Sequence, residues 1–134
     1  MFEVAKSNSG ETIAIIVKKD FMKEGVNFVS QEDFPLQLGI SSYNKGDRIR
    51  AHFHPRREVK IDTIQEMVHV ESGRLEVDLY DLNGVKIKTV GLSTGDTILF
   101  VNGGHGFRMH ENVKLIEVKQ GPYFGKNSDK KLLE

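Results

Sequence analysis

Turn-forming clusters divide this chain into segments too short for most helices. Ser7-Asn8-Ser9-Gly10, Lys19 to Gly25, Ser30 to Pro35, Asn44-Lys45-Gly46-Asp47, Asp81-Leu82-Asn83-Gly84, Ser93-Thr94-Gly95-Asp96 and Glu111-Asn112 stand between apolar or alternating runs. Glycine, asparagine, aspartate and serine gather where a backbone reverses, because they tolerate left-handed conformations or bond their own main chain. Turns recurring roughly every 8–12 residues, with no convincing 3.6-residue apolar period between them, predict a sandwich or barrel of short strands.

The segments support that expectation one by one. Thr12 to Lys18 is β-branched and apolar, so it reads as a strand buried on both faces. Val26 to Val29 reads as a short edge strand, and Gln37 to Tyr43 alternates imperfectly. Arg48 to His54 alternates strictly, with Arg48, Arg50, His52 and His54 on one face and Ile49, Ala51 and Phe53 on the other. Glu66 opens a further strand that Gly73 closes. Leu75, Val77 and Leu79 then alternate with polar residues, the pattern of a strand with one wet face. Asn83-Gly84 is a hairpin signal with Val85 to Val90 as the returning strand. Thr97 to Val101 reads as buried. Phe107 to His110 and Val113 to Lys119 are expected to form a last hairpin, and Gly121 to Glu134 a polar arm with a short helix. The predicted fold is a single all-β domain over residues 1–134, a small antiparallel β-barrel or jelly roll. Its core spans about 37–120, with an N-terminal strand and a C-terminal arm flanking it.

Composition narrows the function classes. The 134 residues carry 19 basic and 19 acidic side chains with no basic stripe, which argues against a nucleic-acid binder. No apolar run approaches the ~20 residues that cross a bilayer, and residues 1–6 lack the order of a secretory signal, so a soluble cytoplasmic protein is expected. The absence of cysteine removes disulfides, thiolate metal sites and cysteine nucleophiles. A small barrel with the apolar N-terminal strand Ile13 to Val17 has edges that benefit from pairing, which predicts a homodimer.

Histidines supply the chemistry. Two residues apart on a strand, His52 and His54 project from one face and can reach one point above it. Glu66 can bring a carboxylate to that point, and His105, in the loop Asn102-Gly103-Gly104-His105-Gly106, a third imidazole. Three imidazoles and a carboxylate suit a divalent first-row metal such as iron, manganese, nickel or zinc, with positions left open for a small-molecule ligand. Glu58 is the competing carboxylate, but Glu66 shares its face with Val68 and Val70, which are expected to point into the core. His69 and His110 are out of phase with the set. Arg50 shares the face of His52 and is the candidate to hold a ligand carboxylate or phosphate. Tyr43, Tyr80 and Glu58 are the candidate general acids or bases; no catalytic residue is assigned among them. Gly103-Gly104 is not a phosphate loop, since no Gly-Lys-Ser/Thr or helix follows.

These residues resemble the two signature motifs of the cupin superfamily. Gly46, five residues, His52-Phe53-His54, then Glu66, six residues and Gly73 follow the first motif, with Pro55–Gln65 as an insertion. Gly95, five residues, Val101-Asn102-Gly103 and His105 follow the second, with valine in place of proline and the histidine one position early. The resemblance covers roughly residues 46–118. Gly103 to Phe107 together with Glu117 to Tyr123 is also similar to small single-domain cupins associated with polysaccharide and nucleotide-sugar pathways. It implies a double-stranded β-helix holding a metal on His52, His54, Glu66 and His105. The implied activity is metal-assisted isomerisation or oxidation of a sugar derivative or a hydroxy or keto acid. A non-catalytic module that binds a sugar-like ligand is the alternative.

Overall fold

The structure is a computed structural model that describes residues 2–134. Its centre is β2 (Thr12–Val17), in which Ile13 to Val17 are all buried. A strand apolar at every position needs a covered neighbour on both faces, and β2 has them. It lies inside a five-stranded antiparallel sheet ordered β1 (Phe2–Lys6), β2, β8 (Thr97–Phe100), β5 (Glu66–Ser72) and β10 (Lys114–Lys119). A three-stranded sheet, β7 (Lys86–Ser93), β6 (Arg74–Tyr80) and β9 (Gly104–Met109), supplies the other half of the main core. Ala14, Ile16, Val68, Val70, Ile98 and Phe100 from the first sheet cluster with Leu75, Val77, Leu79, Val90 and Leu92 from the second. Burying each such aliphatic side chain contributes on the order of 1.5–3 kcal/mol.

The opposite face of the five-stranded sheet is covered as well. Ile15, Val17, Leu99 and Val101 pack against Phe21, Val29, Phe34, Leu36, Leu38, Ile40 and Met67. Most of these come from the ribbon of β3 (Gly25–Phe28) and β4 (Gly39–Ser42) and the loop joining them. The architecture is all-β and antiparallel, but no sheet closes on itself into a barrel.

Gly73 shows how the chain passes between the two main sheets. With φ of 102° it turns β5 into β6, and a β-carbon there would sit 2.4 Å from the Asn112 carbonyl oxygen. Asn112 belongs to the connection between β9 and β10, which returns across the same corner, where His110 N donates to Arg74 O at 3.1 Å. The two crossings stack, and only glycine leaves room for them.

That stacking corrects one expectation. Phe107 to His110 and Val113 to Lys119 form no hairpin; β9 pairs with β6, and β10 pairs with β5. Glu111-Asn112 is a corner between sheets rather than a tight turn within one, a distinction that turn composition does not encode. The Asp81–Gly84 turn, by contrast, does join the paired strands β6 and β7, with Asp81 Oδ1 accepting from Asn83 and Val85 N–H. β2 is paired on both sides, and the free edges of its sheet belong to β1 and β10.

The largest departure lies between Ser42 and Glu66, where no strand forms and nearly every residue is exposed. The expected strand over Arg48–His54 is absent. Alternation assigns side chains to faces, but ladder hydrogen bonds require an adjacent strand, and this segment lies against none. Among the described residues no backbone N–H from Arg48 to Ile64 finds a partner. A short helix, α1 (Lys126–Asp129), interrupts the C-terminal arm as expected. No helix among the described residues is long and apolar enough to cross a membrane.

Candidate functional site

The end of the sandwich where β5 begins gathers the residues of interest. Glu66, first in β5, has Phe100 as its cross-strand partner on β8 and Lys119 on β10. It shares a face with Val68 and Val70, both fully buried, so its carboxylate points towards the three-stranded sheet. His105 comes from that sheet: it pairs with Leu79 on β6 and turns the same way as that buried leucine. Its position depends on Gly103, which has φ of 72° and whose missing β-carbon would lie 2.1 Å from the Tyr80 carbonyl oxygen. No other residue permits so close an approach.

The two side chains meet across the gap. His105 Nε2 lies 3.5 Å from Glu66 Oε2, and the pair retains 28% and 20% side-chain exposure. They are therefore reachable from solvent while standing on the rim of the core. The imidazole plane is fixed by stacking on Phe100, with centroids 3.7 Å apart and planes 11° apart, and by Phe107 at 5.5 Å. A carboxylate beside a ring nitrogen can orient that ring, exchange a proton with it, or share a cation with it. Lys119 is the nearby cation. Its ammonium is drawn away to Asp129, whose hydrogen bond raises the lysine pKa, with the charge of Glu66 adding to the same effect.

His52 and His54 do not join this pair. Both are exposed on the unpaired segment, with ring centroids 5.2 Å apart. His52 Nδ1 lies 2.8 Å from the Arg50 carbonyl oxygen, which can only accept, so Nδ1 is the donor there and Nε2 is the nitrogen left out of that bond. The side chain of Arg50 is exposed. Among the described residues no group of three or more histidine, aspartate or glutamate side chains converges on one point. The donors assembled at the Glu66 corner are thus two, which is fewer than a metal centre requires.

Other sequence candidates separate cleanly. Glu58 lines a groove of about 460 Å³ with Glu32, Phe34, Asp62, Gln65 and Val101, while neither Glu66 nor His105 takes part in it. Gln65 and Glu66 are consecutive in an extended chain and face opposite ways, so Glu58 and Glu66 lie on opposite sides of the sheet. His69, on the face opposite Glu66, has Nδ1 2.9 Å from Thr97 Oγ1 and is half-buried rather than exposed. His110 turns away from His105 and meets Glu76 at 2.6 Å. Tyr80 is one residue out of phase with Leu79, so it takes the outer face, and Tyr43 is exposed beyond β4.

Sequence reading missed Phe100 and Lys119. Phe100 is the one aromatic in the buried run Thr97 to Val101, and its phase would have placed it beside Glu66. Lys119 carried no such signal, because its register against Glu66 depends on β10 pairing with β5 rather than with β9.

No family model matches the chain, and it matches no curated protein and no solved structure.

Proposed function

We propose that this protein is a metal-binding member of the cupin type that acts on a small polar molecule, a sugar derivative or a hydroxy or keto acid. One observation carries the reading: Glu66 and His105, 39 positions apart in the chain, are brought to 3.5 Å at an open end of the sandwich. Opposed residues from two sheets, with an aromatic ring fixing the imidazole, form half of a ligand set. His52 and His54 supply the other half when the segment carrying them folds against this corner, with Arg50 beside them to hold an anionic group of the ligand. The Nε2 of His52, left out of the bond to Arg50, is the nitrogen that such a role needs.

A bound divalent metal (iron, manganese, nickel or zinc) would polarise a carbonyl or hydroxyl, or activate dioxygen if it were iron, which leads to isomerisation or oxidation. The protein's part is to orient: Phe100 and Phe107 hold the His105 ring, and the buried Val68 and Val70 fix the strand that presents Glu66. A second reading, a non-catalytic module that holds a sugar-like ligand, draws on a separate observation. None of Tyr43, Tyr80 and Glu58 lies beside the Glu66–His105 pair, so no side chain is assigned as general acid or base there.

Competition with a chelator tests the ligand set. Glu66→Gln keeps the shape of the side chain and removes its charge, and metal affinity should fall at least about 10–100-fold, the range seen even for outer-shell changes. Glu58→Gln should leave affinity nearly unchanged. Loss of metal from the Glu58 variant with retention in the Glu66 variant would overturn the assignment.

A further inference from the structure

The C-terminal arm has a defined course. It leaves the five-stranded sheet at Lys119, the residue paired with Glu66, and Gln120 Oε1 then accepts from Gln65 N at 2.8 Å. Asp129, the last residue of α1, returns to form an ion pair with Lys119. Four residues later Leu133 reaches the other sheet. Its Cδ1 lies 2.7 Å from where a β-carbon would stand on Gly104, and its Cδ2 lies 3.5 Å from the same position on Gly84. Gly104 precedes His105 and faces outward with Tyr80, so Leu133 seats on the outside of the three-stranded sheet. The arm therefore starts beside Glu66 on one sheet and ends beside His105 on the other.

The free edges explain why something must cross there. β10 ends one sheet and β9 ends the other, and both edges lie at the corner where the two carboxylate and imidazole side chains meet. Two glycines at the hairpin tip and in β9 present a surface without side chains, on which a single leucine can sit. Lys119 is held at two points: by Asp129 and by the Tyr123 ring, whose centroid is 5.9 Å from its nitrogen. A polar tail with no function has no reason to be tied at both ends.

We propose that residues 121–134 form a strap across the mouth of the Glu66–His105 cleft, latched by Lys119–Asp129 and seated by Leu133 on Gly84 and Gly104, which limits the size of ligand that reaches the pair. The functional meaning rests on reading this corner as a ligand site, but the strap itself is testable without metal or substrate. With the strap in place the His105 side chain keeps 28% of its exposure and reacts slowly with a small acylating reagent, and it reacts faster when the strap lifts.

The experiment is residue-resolved modification of the metal-free protein by diethyl pyrocarbonate, read by peptide mass spectrometry, for the natural chain and the double variant Asp129→Lys/Leu133→Asp. Both positions lie at the surface, so the sandwich is retained, as a thermal unfolding scan will verify. The rate at His105 should rise about tenfold, the factor expected for losing an exposed ion pair together with the contacts of a leucine that is 52% exposed. The rate at His110, beyond the opposite end of β9 and held by Glu76, should stay the same. An unchanged rate at His105, or an equal rise at His110, overturns the strap. A failure of metal binding in the chelator experiment leaves this result intact, so the two ideas fail separately.

Discussion

Two segments of this chain carry nearly the same pattern and meet opposite fates. Arg48 to His54 and Arg74 to Tyr80 each begin with arginine, alternate polar with apolar over seven residues, and follow a glycine with φ near 100°. The second is β6, the middle strand of its sheet, with Leu75, Val77 and Leu79 fully buried. The first pairs with nothing, and Ile49 and Phe53 stand 60% and 96% exposed. The difference is in the neighbours. β6 precedes β7 through an Asn-Gly turn, so that partner is close in sequence and cheap to bring together, and β9 pairs along its other side. Arg48 to His54 is followed by Pro55, which cannot donate to a ladder, and by a charged run through Asp62 whose Val59 and Ile61 stay exposed. Alternation specifies which face a strand buries; the connections decide whether there is anything to bury it against.

The largest effect should come from emptying the two apolar faces. Leu75→Ala should cost about 2–5 kcal/mol, because it removes contacts and leaves a cavity between the sheets. Phe53→Ala should change stability by less than about 0.5 kcal/mol in metal-free protein, as for other exposed substitutions. Urea denaturation of both variants checks this. A costly Phe53→Ala would mean that the segment packs where it is described as bare.

The two glycines sharpen the same contrast. At Gly73 alanine meets both a positive φ and the Asn112 carbonyl 2.4 Å away, so the crossing of the sheets must shift, at a cost above about 2 kcal/mol. At Gly46 φ is 94° with open space around it, and alanine should cost about 1 kcal/mol. Comparable losses from the two, measured by the same denaturation, would place Gly46 in a packed corner like that of Gly73.

A smaller effect concerns β6 alone. Asp78 accepts from Arg108 through Nε at 3.0 Å and Nη2 at 2.8 Å, from Thr89 at 2.6 Å, and from Lys86 at 3.0 Å. These contacts, the Arg108 guanidinium first, hold its carboxyl well below the usual aspartate range. A depressed carboxyl stabilises the fold at every pH above the unfolded value of roughly 3.9, and that contribution is lost as pH falls further. Arg108→Met should therefore lower stability above about pH 4 and flatten the acid limb, because less of that contribution remains to be lost, seen as urea midpoints recorded between about pH 5 and 3. An unchanged acid limb would show that Arg108 contributes nothing to the state of Asp78. The row Arg48, Arg50, His52 and His54 has no such carboxylate ladder across from it.

The sequence was informative where structure follows from neighbours along the chain. The burial of Ile13 to Val17, the Asp81–Gly84 turn and the inward face of Glu66, Val68 and Val70 were all readable from composition and phase. What could not be read were choices between sheets. Glu111-Asn112 has the composition of a hairpin turn yet serves as a corner, and whether it does so depends on the room left by Gly73, 39 positions before Asn112. The same limit hid Lys119. For the site, the phase of Glu66 and the glycines before His105 indicated two residues that the structure brings together; Arg48 to His54 showed alternation, but alternation holds no information about a partner strand.

The central claim is that the bare segment and the half-built corner belong to one site. Hydrogen exchange at the backbone amides of residues 48–54, with and without added Zn²⁺, tests it most directly. Without metal these amides have no hydrogen-bond partners and should exchange at close to the rate of an unstructured chain. With Zn²⁺ they should become protected as His52 and His54 are drawn to Glu66 and His105, and the protection should disappear in Glu66→Gln. Amides at 48–54 that exchange equally fast with Zn²⁺ present, or that are protected equally in the Glu66 variant, would contradict the account.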